Sequence, residues 1–383
     1  MFAAGPAASI PLDVGEFWTA RQRAAHSLHE ISYRACFKPQ LPRYFIERHS
    51  APGDLVFDPF MGRGTTLVEA ALLGRVPLGT DVNPLCARLV RPHLAPPSFE
   101  EVALRLGAID FHRPVTFPEE LLVFYHPETL RELCAMRSHL LKRERDRTLD
   151  AADDWIRMVA LNRLTGHSPG FFSVYTLPPN QAVSVAAQRK INERLKQEPP
   201  RRLVPELILR KTRALLKDRT DETQRCLAAV HADALVLSNS AASVPEIADE
   251  SVQLVVTSPP FLDTVDYVAD NWLRAWFAGV GAAPVGLCVF RNATDWVQSM
   301  TQVLAECRRV LRDDGHLVFE VGEVRGGKVR LEEQALEAGE RAGLRPERVM
   351  INAQHFTKTS NCWGVSNGTK GTNPNRIVVF RNA

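Results

Sequence analysis

Between Leu55 and Asp81 the chain passes from an apolar strand through a glycine-rich turn into an apolar helix and back into a strand. Few folds accommodate that order. Leu55-Val56-Phe57 reads as a buried strand and runs into Asp58-Pro59-Phe60-Met61-Gly62-Arg63-Gly64-Thr65-Thr66. The helical pattern Leu67-Val68-Glu69-Ala70-Ala71-Leu72-Leu73 follows and stops at Gly74-Arg75, and a second strand, Pro77-Leu78-Gly79-Thr80, ends at Asp81. Strand, helix and strand at this spacing form a βαβ unit, which predicts a mostly parallel, doubly wound α/β sheet with ligands at the carboxyl ends of its strands. Glycines at the first turn let a ligand approach the backbone, with helix N–H groups aimed at it. The first acidic residue after the second strand, here Asp81, is where a ribose hydroxyl pair is held.

A lone G-x-G is a weak signal, and a dinucleotide fold is the default reading of it. The third glycine of the dinucleotide fingerprint is missing, however, and no Gly-Lys-Ser/Thr follows as in a phosphate-binding loop, so neither NAD nor ATP is favoured. Asp58, at the head of the loop, suits a ligand carrying an ammonium group instead of a pyrophosphate. S-adenosylmethionine carries one.

A second motif supplies the chemistry. Gln253-Leu254-Val255-Val256 reads as another buried strand, and Thr257-Ser258-Pro259-Pro260-Phe261 ends it. Proline fixes φ and lacks an N–H, so a Pro-Pro pair stiffens the backbone and leaves carbonyls free to accept hydrogen bonds. Ser258 and the Pro259 carbonyl are placed to bind an exocyclic amine, and Phe261 offers a face on which a planar base stacks. Alone, the same stretch also reads as a proline-terminated strand entering a loop.

Asp58 to Thr66, Gly79-Thr80-Asp81-Val82-Asn83-Pro84 and Ser258-Pro259-Pro260-Phe261 together resemble the amino-methyltransferases of DNA. The resemblance implies a Rossmann-like class I methyltransferase sheet and S-adenosylmethionine as cofactor. It implies a cofactor site made of Phe37, Asp58, Phe60, Gly62, Gly64, Thr65, Thr66, Asp81 and Asn83. In this family the segment corresponding to Phe37–Gly53 closes over the methionine end of the cofactor. An acid or amide after the third strand contacts the adenine amino group, and Asp233, after the apolar run Leu227–Val230, matches that position. Ser-Pro-Pro-Phe is typical of the N4-cytosine branch, whereas adenine enzymes usually carry Asp or Asn in place of the serine. Two features depart from the family pattern: Arg63 stands where a small residue is common, and the cofactor motif precedes the Pro-Pro motif.

From about Ala95 to Arg225 the pattern lapses into charged helical stretches broken by prolines, which predicts an inserted, mainly helical region. The expected division is 1–94 and 226–383 for the catalytic unit and 95–225 for target recognition. Arg189 to Arg219 holds eleven Lys or Arg against four Asp or Glu. That is either a phosphate-binding patch or a solvated helix face. Phe171, Phe172 and Tyr175, in the loop from His167, suit either a wedge into a base stack or core packing. Asn271, Trp272, Arg274 and Trp276 belong to a helix after Phe261 whose aromatics wall the pocket or pack, with packing favoured for Trp276. Arg348–Ile351 and Arg376–Phe380 are two closing strands, an antiparallel hairpin by the resemblance, separated by a polar stretch that faces nucleic acid or solvent. Val303–Leu311 and His316–Val321 read as an ordinary supporting helix and strand.

Composition narrows the class further. Hydrophobic content of 45% and charged content of 24% are those of a globular protein. No apolar run approaches the ~20 residues of a membrane span, and the first residues lack a signal-peptide pattern, so a cytoplasmic protein is expected. Seven cysteines without a CxxC pair disfavour a disulfide framework or a zinc site, and no metal is expected. None follows a proline, which removes the thiol nucleophile of a cytosine-C5 enzyme. The net charge of +3 decides nothing about a polyanionic partner. The expected activity is transfer of a methyl group to the N4 amine of a cytosine flipped out of double-stranded DNA. N6-adenine methylation, N2-guanine methylation of RNA and a non-catalytic nucleic-acid-binding regulator are the alternatives. A cognate restriction enzyme is a possible partner, and a monomer or a homodimer would serve.

Overall fold

The structure is a computed structural model and describes residues 2–3, 9–18, 25–33, 36–176, 182–260, 267–281, 290, 292–324, 329–352 and 375–382. Eight strands form the central sheet: β1 Leu12–Gly15, β2 Leu55–Asp58, β3 Val76–Thr80, β4 Leu235–Leu237, β5 Val252–Thr257, β6 Leu311–Val321, β7 Arg345–Asn352 and β8 Asn375–Arg381. Their order across the sheet is β1-β7-β8-β6-β5-β2-β3-β4. The pairs from β6 to β4 are all parallel. β8 runs antiparallel to both of its neighbours, β6 and β7, as the expected hairpin requires.

Alternation along the strands separates two apolar layers, because successive side chains leave opposite faces. Val56, Leu254, Val256, Val318, Ile377 and Val379 point to one side, where they meet Leu41, Phe45 and Ile46 of α1 (Gln40–His49) and Trp18. Phe57, Val255, Leu317, Phe319, Val378 and Phe380 point to the other. Each fully buried side chain of this size contributes about 1.5–3 kcal/mol, so α1 is held by three anchors. α2 (Thr65–Leu72), entirely buried, follows β2, and α3 (Pro84–Leu94) follows β3. They complete the βαβ unit expected from the sequence.

The described residues between 99 and 230 are mainly helical, as expected, with α4 (Phe99–Gly107), α5 (Pro127–Arg145), α6 (Ala151–Leu161), α7 (Val185–Leu195), α8 (Val204–Leu215) and α9 (Asp221–Val230). Ser98, Asp150 and Thr220 start α4, α6 and α9 with capping boxes that satisfy the first backbone N–H groups. The second layer runs without a break from the sheet into these helices through Trp155, Met158 and Val204. Leu227–Val230, expected as a strand, is the last turn of α9. Thr220 nucleates that helix, and Leu227 and Val230, three apart, share its buried face. The division expected between 225 and 226 therefore falls inside a helix. α10 (Tyr267–Ala278) follows the Pro-Pro motif, α11 (Ala293–Val310) leads into β6, and α12 (Leu331–Arg341) covers β8 and β7.

Candidate cofactor and base-amine site

The carboxyl ends of β2, β3 and β5 meet at one edge of the sheet. β2 delivers Asp58 into the interior, 1% exposed, where its Oδ1 accepts hydrogen bonds from the Thr257 hydroxyl at 2.6 Å and the Phe60 N–H at 3.0 Å. Burial pushes the carboxyl up to about 6 against these hydrogen bonds. A buried carboxylate held by neutral donors is the environment that a cationic group would complete.

The turn after Asp58 needs both glycines. Gly62 and Gly64 have φ of 49° and 79°, and a Cβ on Gly64 would lie 2.7 Å from Val90. The Gly62 N–H donates to Asp81 Oδ2 at 3.1 Å, while the Asn83 N–H donates to Oδ1 at 2.8 Å. Burial raises the Asp81 pKa, and these two N–H donors oppose that shift. Asn83 caps α3 by accepting from the Leu85 N–H, and its amide donates to the Tyr33 hydroxyl at 3.2 Å. Thr65 and Thr66 are buried at the start of α2, and the Thr66 hydroxyl donates to the Val256 carbonyl at 3.1 Å, binding α2 to β5. Asp58, Phe60, Gly62, Gly64, Thr65, Thr66, Asp81 and Asn83 thus converge in one cradle.

Arg63, the departure from the family pattern, has a structural task. Its guanidinium donates to the Ile31 carbonyl at 2.7 Å and to Thr65, strapping residues 29–31 over the turn. Phe37 is half-buried against the other apolar layer, the one containing Trp18 and Phe45. Arg274 of α10, which is buried, donates to the carbonyls of Ser32 and Leu161 and to Asn271, so it fastens the same lead-in segment to α6.

Asp233 is a correction. It lies exposed in the turn before β4, at the amino end of that strand, because α9 occupies the residues expected to form it. The carboxyl end carries Asn239 instead. Asn239 exchanges backbone hydrogen bonds with the Thr80 hydroxyl at 2.8 and 3.1 Å, which brings it beside the end of β3.

At the end of β5, Ser258 donates its hydroxyl proton to Glu320 Oε2 at 2.6 Å, and Asn375 donates to Glu320 Oε1 at 2.9 Å. Pro259 is buried, and the Pro260 carbonyl accepts from the Trp296 indole N–H at 2.9 Å. Phe261 lies outside the described residues. Sequence reading overlooked Glu320 by treating β6 as mere support, although a carboxylate in the run Leu317-Val318-Phe319-Glu320-Val321 was its signal. Glu320 is 7% exposed, and burial raises its pKa.

The remaining candidates are largely structural. Arg201 pairs with Glu128 and Glu132, Lys211 and Lys217 pair with Glu30, and Arg219 donates to the Pro97 carbonyl. Arg201, Lys211, Lys217 and Arg219 of the basic stretch therefore have structural partners. Phe172 is fully buried, Phe171 lies under the Arg163 guanidinium, and Trp276 carries Arg137 over its ring, all packing roles. Among the described residues no cluster of three or more His, Cys, Asp or Glu is arranged to hold a metal, and no helix is long and apolar enough to cross a membrane.

Strand order with one antiparallel strand, β8, inserted between β7 and β6, and a glycine turn flanked by two acids, define a class I methyltransferase fold with a Rossmann-like sheet. Within it, residues 11–91 match the family model described as DNA methylase, whose members use S-adenosylmethionine. The chain is 44% identical over 64 residues to the Type II methyltransferase M.MjaII of Methanocaldococcus jannaschii, across 17% of this chain and 12% of that one. To the Type II methyltransferase M.BsoBI of Geobacillus stearothermophilus it is 23% identical over 279 residues, 66% of this chain and 53% of that one. The chain thus spans about half or less of the length of these two relatives. Among solved structures, a TehB-like SAM-dependent methyltransferase from Corynebacterium glutamicum aligns over 89% of this chain and 87% of that one, with 11% identity and a TM-score of 0.33.

Proposed function

We propose that this chain is an S-adenosylmethionine-dependent DNA methyltransferase acting on the exocyclic N4 amine of a cytosine flipped out of the duplex. The observation that carries this reading is the hydrogen bond from Thr257 to Asp58, which makes the cofactor cradle and the Ser-Pro-Pro motif direct neighbours. Asp58 would hold the cofactor's ammonium group, Asp81 its ribose hydroxyls and Asn239 the rim of its adenine. When bound, the cofactor supplies an electrophilic methyl group.

The chain's own work is positioning. An amine inside a base pair is inaccessible, so the base leaves the stack at a cost of a few kcal/mol that pocket contacts offset. Ser258 and the Pro259 carbonyl would orient the amine so that its lone pair faces the methyl group, and such orientation supplies several kcal/mol of catalysis. Phe261 would stack on the ring. The helical region 95–225 would carry target recognition.

Incubation with methyl-labelled cofactor and mixed-sequence duplex DNA, followed by digestion to nucleosides, tests this reading. N4-methylcytosine is the expected product. N6-methyladenine would keep the cofactor and the chemistry but overturn the inference from Ser258, and DNA without label would overturn the substrate class.

A further inference from the structure

Glu320 is a buried carboxylate at the end of an apolar column, and the cofactor cradle does not use it. On its own face of the sheet it continues the row of Val318, with Ile377 of β8 directly opposite. Both of its oxygens are engaged, one by Ser258 from β5 and the other by Asn375 from β8. Three strands that are far apart in the chain thus each contribute one side chain to a single hydrogen-bonded line. Among the described residues no ion pair reaches Glu320. Its neighbours Ser258, Asn375 and Ile377 are uncharged, and Arg376, one residue along β8, pairs with Glu332 on α12 at 2.5 Å.

A carboxylate buried without a counter-ion is costly unless hydrogen bonds or a function retain it. We propose that Glu320 is a positioning residue and proton acceptor for Ser258, oriented by Asn375, an assignment that rests on the amine-methylation reading above. The Glu320 carboxylate accepts the hydrogen bond of the Ser258 hydroxyl, which turns a lone pair of the serine oxygen towards the target amine as an acceptor. When the new C–N bond forms and the S–C bond breaks, the amine carries one surplus proton. That proton passes to the serine oxygen as the serine's own proton passes to Glu320, so the line is charge-balanced and later releases the proton to solvent. Burial holds the Glu320 pKa above the ordinary glutamate range, so the acceptor is better matched to near-neutral pH than an exposed glutamate would be.

Two measurements on the full chain test this. First, the 13C-labelled glutamate carboxyl of Glu320, assigned by its loss in Glu320→Gln, is titrated by NMR in wild type, Ser258→Ala and Asn375→Leu. Each variant removes a donor to the carboxylate and is expected to move the titration to higher pH. Titrations unchanged from wild type in both variants would sink the hydrogen-bonded line, whatever the enzyme methylates. Second, single-turnover methyl transfer to duplex DNA is followed against pH in wild type and Glu320→Gln, alongside cofactor binding. The expected result is unaltered cofactor affinity, a rate lower by about 10²–10⁴-fold and loss of the ascending limb of the pH profile. An equal rate with an unchanged profile overturns the acceptor role. DNA unlabelled by wild type itself, with the NMR shifts as expected, overturns the amine-methylation reading and with it the proton transfer, while leaving the hydrogen-bonded line in place.

Discussion

At the scale of single residues, the acids and histidines of the interior make the protein's pH behaviour calculable. Asp58 is pushed up to about 6 by burial, and a cationic ligand group favours its ionised form. Cofactor affinity is therefore expected to be flat above pH 6 and to fall below it, by up to ~10-fold per pH unit. Calorimetric titration from pH 5 to 8 checks this, with Asp58→Asn expected to bind weakly and without that pH dependence. His93 of α3 sits fully buried against Trp155, with neither ring nitrogen hydrogen-bonded. Burial lowers its pKa from 6.5 to about 3. The unfolded chain takes up a proton near pH 6.5 that the folded chain refuses until about 3, so stability falls as pH drops through that window. His93→Leu removes an unpaired buried polar group and is expected to raise stability by roughly 1–3 kcal/mol at pH 7. The gain is expected to grow towards pH 5 in denaturant melts. An unchanged or lowered midpoint would mean that the imidazole has a partner in solution.

At the scale of elements, the lead-in segment before α1 is held down by cations from two directions. Arg63 grips the carbonyls of Ile31 and His29 from the glycine turn, and Arg274 grips that of Ser32 from α10. Tyr33, the residue after those anchors, accepts a hydrogen bond from Asn83 at the start of α3. Arg63→Ala leaves two carbonyls without their donor beside the cradle, at on the order of 1–2 kcal/mol. The expected outcome is cofactor affinity weakened about 5- to 30-fold with a normal far-UV spectrum, checked by equilibrium dialysis and circular dichroism. Unaltered affinity would separate the strap from cofactor binding. The same scale explains the two misread stretches. Leu227–Val230 has strand-like composition, yet the capping box at Thr220, seven residues upstream, decides it as helix. β6 reads as plain support because periodicity marks its faces but not which neighbours stand at its end.

At the scale of the whole molecule, charge is distributed unevenly across the helical region. α7 and its C-terminal cap expose Arg189, Lys190, Arg194 and Lys196 against Glu193, and among the described residues these four cations make no ion pair. The face adjoins Tyr175 through Gln188, and Ala182, just before it, is bonded to Asp270 of α10, the helix that follows the Ser-Pro-Pro motif. Under the proposed function it contacts DNA phosphates. Changing all four residues to Gln is expected to lower the slope of log affinity against log salt by about 0.9 for each phosphate no longer neutralised, in binding measured by fluorescence anisotropy at several salt concentrations. A slope identical to wild type would move the DNA interface elsewhere.

Much of the architecture was legible in the chain because it is local. Apolar runs set the strands, Gly62 and Gly64 set a turn that only glycine can make, and Asp58 and Asp81 follow strands whose ends are recognisable a few residues away. The partners of Ser258 and Arg63, the place of Asp233 at the amino end of β4 and the pairing of Arg201, Lys211 and Lys217 with Glu30, Glu128 and Glu132 were not legible. Each depends on which side chains the folded sheet and helices bring within ~3 Å across tens or hundreds of residues, and hydrogen bonds and ion pairs fall off over that distance. Short-range pattern decides where the elements are, and only packing decides whom their end residues meet.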